Sequence, residues 1–212
     1  MNNPLEILRA LDKNLDHKIS LVLFGKAAIA LGFQHPPEGS DQTMDVDSIL
    51  TNGLPDGISN DMAFWESLET TNQDLAPTGL YMTHLFEEEQ VILSPDWLAK
   101  TVPIELGLPN IRVLRPSALD LVLTKMMRGD PQDLEDIGFL IKADNITPEE
   151  LEVAFKTARV PDANEILDLF QSAQPLVLKM AGKLADREGR TTPDIRAKPT
   201  KGRDQSGPGS LG

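Results

Sequence analysis

The stretch ISLVLFGKAAIALG, residues 19–32, changes character at a single glycine. Leu21 to Phe24 form a continuous apolar run, as a short buried strand requires. Gly25 ends that run. KAAIALG then opens a helix, with Ala27, Ala28 and Leu31 on one side. A strand that hands its chain straight to a helix leaves free backbone N–H groups at the positive end of the helix dipole. Such an end suits a phosphate. The glycine lets the backbone come close, and Lys26 places a charge in the same turn.

After the breaker-rich loop QHPPEGSDQ comes TMDVDSIL, residues 43–50, which reads as a second strand. Asp45 and Asp47 stand at i and i+2, so in a strand their side chains leave the same face. Like charges at that spacing repel, and a divalent cation is the usual compensation. Two carboxylates on one face make an oxygen site for Mg²⁺ or Mn²⁺, and ions so held organise phosphoryl chemistry. Taken alone, a D-x-D pair is more often a solvated strand end. An EF-hand loop is excluded, because Ile49 and Leu50 stand where that loop needs an oxygen ligand and a glycine. A P-loop is excluded too, since G-x-x-x-x-G-K-[ST] does not occur.

The remaining pattern predicts an α/β half followed by a helical half. A first helix is expected over Pro4 to Leu15, and another over MAFWESLETTNQDLA with Phe64, Leu68 and Leu75 inward. GLYMTHLF and QVILSP read as strands or a hairpin joined through EEE, and IRVLRP as a short strand. Further on, Ser117 and Asp120 form a capping signal for a helix. Its stripe is Leu119, Val122, Leu123, Met126 and Met127, and Gly129 stops it. Asp130 and Pro131 start the next helix, whose apolar face is Leu134, Ile137 and Ile141. Thr147-Pro148-Glu149-Glu150 opens a third. A fourth begins near Asp162, with Pro175 expected to break or kink it. The expected organisation is an α/β core over 1–115, a helical region over 116–186 packed on it, and a disordered tail over 187–212. That tail is rich in Gly, Pro, Ser and charge and nearly devoid of apolar residues.

Charge and composition narrow the function. The 212 residues carry a formal charge of −13. Six basic and three acidic residues from Arg187 to Gly212 give the tail +3, leaving −16 on residues 1–186. Such a surface argues against avid, non-specific nucleic-acid binding. With no cysteine, disulfides and thiolate metal sites are excluded. No apolar run is long enough to cross a bilayer. The N-terminal stretch MNNPLEILRALDKN lacks the layout of a secretory signal, so the expectation is a cytoplasmic protein without membrane contact.

The order of parts, FGKAAIALGF and then TMDVDSIL, resembles the nucleotidyltransferase superfamily. LTKMMRGDPQDLEDIGFLI, residues 123–141, resembles the lysine motif and D-x-x-D helix of the AbiEii-like toxins of bacterial toxin–antitoxin and phage-resistance systems. Residues 20–160 also resemble a nucleotidyltransferase-fold family of unassigned function. The resemblance implies a small mixed sheet flanked by helices, with a helical C-terminal half. By the same resemblance Gly25 is the motif glycine and Lys125 lies against the phosphates of a nucleoside triphosphate, while Lys26, from its place in the turn, is a candidate added phosphate ligand. Asp45 and Asp47 hold the metal and serve catalysis. Asp133 helps to activate the attacking hydroxyl, and Asp136 stands with it on the nucleotide side. The implied reaction moves a nucleotide to a hydroxyl acceptor, RNA among the candidates, and a toxin role implies an antitoxin protein as partner.

Two features depart from the family pattern. Lys26 stands where Ser or Gly is usual. The third carboxylate that the fold draws from a neighbouring strand has only Glu87, Glu88 and Glu89 as candidates. Both features leave open a non-catalytic binding or regulatory module on the same fold. By helix pattern alone Lys125 and Arg128 read as a solvated polar face, His84 as a satisfied buried histidine, and His17 and His35 as residues without partner spacing.

Overall fold

The computed structural model describes residues 2–128 and 130–189. Helix α1 spans Asn3–Asn14, strand β1 Ile19–Phe24, α2 Gly25–Gly32, β2 Asp47–Leu50, α3 Met62–Leu75 and β3 Leu85–Glu87. There follow β4 Val102–Pro103, β5 Ile111–Arg115, α4 Ala118–Lys125, α5 Pro131–Ala143, α6 Pro148–Thr157 and α7 Asn164–Gly189. The expected α/β architecture is present. One five-stranded sheet has the order β3-β2-β1-β5-β4. It is mixed: β1 runs antiparallel to β2 and parallel to β5, β2 runs parallel to β3, and β4 is antiparallel to β5.

The continuous apolar run of β1 follows from its central place. Ile19, Leu21 and Leu23 enter the main core beneath α1, α2 and α4, while Val22 joins a second cluster on the other face with Ile49, Leu93, Trp97 and Leu114. A strand covered on both faces cannot alternate with polar residues. Each leucine so buried contributes about 1.5–3 kcal/mol. In β2 the alternation is visible. Val46 and Leu50 belong to the main core and Ile49 to the second cluster, so Asp45 and Asp47 share the face of Ile49.

The helices start where their caps place them. Asp61 accepts the Phe64 N–H at 3.1 Å to open α3. Thr147 and Glu150 close a reciprocal capping box on α6. Ser117 accepts the Asp120 N–H at 3.0 Å and donates its hydroxyl to Asp120 Oδ2 at 2.7 Å. The other oxygen of that buried carboxylate accepts the Ser94 N–H at 2.8 Å. The latter bond explains one departure from expectation. QVILSP is not a ladder strand, because its buried backbone is satisfied elsewhere. Leu93 bridges to Arg159 and Ser94 bonds to Asp120. GLYMTHLF likewise contributes only β3 and a lone bridge from Tyr81 to Asp45.

Other boundaries differ by a turn. α4 ends at Lys125, where the Met126 N–H bonds back to the Leu123 carbonyl at 3.1 Å and tightens the turn. Met126 and Met127 of the expected stripe thus lie just beyond the helix, and Gly129 lies outside the described residues. α7 begins at Asn164 and continues through Pro175 to Gly189. It enters the stretch from Arg187 expected to be disordered, and the remainder of that stretch, 190–212, lies outside the described residues. Among the described residues no helix is long and apolar enough to cross a membrane.

Candidate metal and nucleotide site

The antiparallel register pairs Phe24 with Asp47, which sets the start of β2 beside the β1–α2 turn. Gly25 occupies that turn at φ +65°, in the left-handed region. A Cβ there would stand 3.0 Å from Asp47 Oδ2, so backbone angle and close approach both call for glycine. No side chain caps the first turn of α2, leaving its N–H groups open to a ligand.

Asp45 is oriented by Thr43, whose hydroxyl donates to Asp45 Oδ1 at 2.7 Å. His84 Nδ1 lies 3.2 Å from Asp47 Oδ1 and 3.8 Å from Asp45 Oδ2. One ligand atom from each of Asp45, Asp47 and His84 falls within 4.8 Å of the others. The imidazole is close enough to attract the carboxylates but is not aligned to donate. Asp47 Oδ1 is therefore buried without a hydrogen-bond partner. Burial and the neighbouring Asp45 charge push the Asp47 carboxyl up to about 6, against the opposing pull of His84 and Arg128. An orphaned buried oxygen between like charges is what a divalent cation satisfies, and two carboxylates with an imidazole are a fitting donor set.

Opposite this group stands a network of cations that are already matched. Lys125 Nζ donates to Asp133 Oδ1 at 2.8 Å and lies 2.8 Å from Asp136 Oδ2. Lys26 Nζ donates to Asp136 Oδ1 at 2.7 Å. Arg128 grips Asp133 with a fork, Nε to Oδ2 at 3.1 Å and Nη2 to Oδ1 at 3.0 Å. Burial alone would raise the Asp133 carboxyl, but the bonds from Arg128 and Lys125 hold it below the usual carboxylate range. Asp133 and Asp136 are both fully buried.

Two cavities meet at Gly25, Asp45, Asp47, Lys125 and Arg128. One, of ≈350 Å³, is walled by Phe24, His84, Phe86, Val91, Met127 and Ile166. The other, of ≈330 Å³, is polar and walled by Lys26, Thr43, Gln132, Asp133 and Asp136. A largely apolar chamber beside a charged one can take the two ends of an amphipathic ligand.

The structure thus brings together all seven residues singled out in the sequence: Gly25, Lys26, Asp45, Asp47, Lys125, Asp133 and Asp136. It also corrects three readings. His84 is not a satisfied buried histidine. Its side chain is half exposed, and its ring edge faces the carboxylates. The only sequence signal was its place two residues before Phe86, on the same side of the strand. Arg128 is exposed as expected, and from there it holds Asp133. Lys125, which by helix pattern alone belonged to a polar face, is buried. The acidic run does not supply the third carboxylate: Glu88 accepts from Trp97 Nε1 at 2.9 Å, and Glu87 caps the turn that follows β3.

The family model described as a nucleotidyltransferase of unknown function (DUF6036) matches residues 5–165. The chain belongs to this nucleotidyltransferase family. The matched span runs from α1 into the start of α7 and takes in every residue of the site. No curated protein and no solved structure matches the chain significantly. The acidic and basic groups of the cleft come from different elements. Asp45 and Asp47 enter from the β2 side, and Lys125 from the last turn of α4.

Proposed function

We propose that the chain is a metal-dependent nucleotidyltransferase that moves a nucleotide from a nucleoside triphosphate to a hydroxyl acceptor. The observation that carries this reading is an imbalance of charge inside one cleft. Asp133 and Asp136 each have a lysine or arginine partner. Among the described residues neither Asp45 nor Asp47 has one. The carboxylates left over are the two that the sequence pattern assigns to Mg²⁺ or Mn²⁺.

Asp45 and Asp47 would hold the ion, with Thr43 fixing the rotamer of Asp45. A divalent ion bound there supplies positive charge to phosphoryl oxygens and lowers the pKa of a bound hydroxyl. The open N–H groups of α2 and the ammonium groups of Lys26 and Lys125 suit the phosphates. Asp136 orients both ammonium groups, and Asp133 orients Lys125 and Arg128. The aromatic chamber around Phe24 and Phe86 suits a base. The likeness of residues 123–141 to the AbiEii-like toxins supports RNA as the acceptor and an antitoxin protein as partner. A triphosphate substrate goes with a cytoplasmic setting.

One observation favours a second reading, a binding or regulatory module on the same fold. Lys26 and Lys125 are already held by Asp136, so phosphates must compete for them. The two readings separate in one experiment. The protein is incubated with each labelled nucleoside triphosphate, Mg²⁺ or Mn²⁺ and total bacterial RNA, beside the Asp45→Ala/Asp47→Ala double variant. Label passing to RNA with wild type alone supports the transferase. Absence of both transfer and metal-dependent triphosphate binding supports the module.

A further inference from the structure

We propose that His84 is the third protein ligand of the metal held by Asp45 and Asp47, and that its nitrogen makes the site select a first-row transition ion over Mg²⁺. The inference rests on the reading of those two aspartates as metal-holding groups, and goes beyond it to the identity of the ion.

The parallel pairing of β2 with β3 matches Ser48 with Leu85, and the Ser48 N–H bonds to the His84 carbonyl at 3.0 Å. His84 is thereby fixed at the entry of β3, beside the segment between Asp45 and Asp47. Strand alternation turns it to the same side as Phe86, and the two rings lie roughly parallel, 6.0 Å between centroids and 25° between planes. That packing presents Nδ1 to both carboxylates. The imidazole makes no hydrogen bond among the described residues, and Asp47 Oδ1 facing it has none either. A donor nitrogen and a buried acceptor 3.2 Å apart, yet misaligned for each other, are arranged to share a third body.

Ligand chemistry then separates the ions. Mg²⁺ prefers oxygen ligands and keeps several waters. An imidazole among carboxylates shifts preference toward the first-row transition series, along which nitrogen affinity rises from Mn²⁺. A third carboxylate at this position would have kept the site hard and suited to Mg²⁺. His84 is therefore a specificity-determining residue for the metal, at the edge of the chamber that Phe24 and Phe86 wall.

The test uses the full chain with Mn²⁺ alone and no nucleotide. Pulsed electron paramagnetic resonance of the bound Mn²⁺ should show coupling to an imidazole nitrogen, which disappears in His84→Gln. By titration calorimetry, Mn²⁺ should bind at least about tenfold more tightly than Mg²⁺, and His84→Gln should erase most of that gap. His84→Asp should move the preference back toward Mg²⁺. Bound Mn²⁺ without nitrogen coupling in wild type, or Mg²⁺ competing on equal terms, overturns the proposal without any variant being needed. The two readings fail separately. Nitrogen-coupled Mn²⁺ without nucleotide transfer would leave His84 a ligand and sink the transferase. Transfer running equally well in Mg²⁺ and Mn²⁺, unaffected by His84→Gln, would do the reverse.

Discussion

Lys26 Nζ and Asp136 Oδ1 meet at 2.7 Å, tying the first turn of α2 to the middle of α5. Asp136 is fully buried and also touches Lys125, so one carboxylate serves two ammonium groups from two helices. Removing it leaves Lys26 without a close counter-charge and Lys125 with Asp133 alone. Asp136→Ala should destabilise the fold by about 3–5 kcal/mol, the range for breaking a buried pair from one side. Lys26→Ser should cost much less, because Lys125 stays on Asp136. Urea unfolding of the three proteins checks the ranking. Equal losses would mean that Asp136 is not the hub.

Gly25 is held at φ +65° with Asp47 Oδ2 in the place of a would-be Cβ neighbour. Gly25→Ala should cost about 1–2 kcal/mol from the left-handed backbone alone. It should also push the Asp47 carboxylate off its position. The expected signature is a loss of divalent-metal affinity larger than the modest fall in Tm would explain. Calorimetric titration with Mn²⁺, beside a thermal melt, measures both.

The Asp47 carboxyl is raised to about 6, from an ordinary 3.8 in the unfolded chain. The folded state therefore holds this proton more tightly. Stability from this group is present in acid and is lost as pH rises from about 4 through 6. Metal-free Asp47→Asn should melt higher than wild type at pH 8, and the difference should shrink toward pH 4. Metal binding runs the other way, since the ion displaces the proton. Affinity should fall below pH 6 by up to about tenfold per unit. Calorimetry at pH 5.5 in two buffers of different ionisation enthalpy should reveal proton release. Its absence would show that Asp47 is not a ligand.

Much of this geometry was legible in the chain because local rules govern it. The switch at Gly25 and the alternation of TMDVDSIL each follow from neighbours within a few residues. The caps at Ser117 and Thr147 follow the same kind of local rule. His84 was not legible, because its role depends on β3 pairing with β2, and nothing within its own stretch specifies that register. Lys125 looked solvated for a similar reason. Its partners Asp133 and Asp136 arrive from the next helix, and burial of a matched ion pair leaves no apolar periodicity to detect. QVILSP misled because β-type residues also line a buried segment whose N–H groups are satisfied by a side chain, here Asp120.

His17 sits far from the cleft, clamped between Asp16 at 2.7 Å and Asp61 at 2.6 Å. Hydrogen bonds to Asp16 and Asp61 raise its pKa above 6.5, against a small opposing effect of burial. Asp61 also caps α3 through Phe64, so the histidine steadies the carboxylate that starts the helix. A raised histidine contributes stability that is complete below the unfolded pKa and is lost as pH rises through the folded one. His17→Gln should therefore lower Tm most at pH 5.5 to 6, with the gap to wild type closing by pH 9. Asp61→Ala removes the cap as well and should cost about 1 kcal/mol even at pH 9. Melting curves of both variants across that range decide the matter. A His17→Gln deficit that persists unchanged at pH 9 would mean that packing, and not the charge of the imidazolium, is what His17 provides.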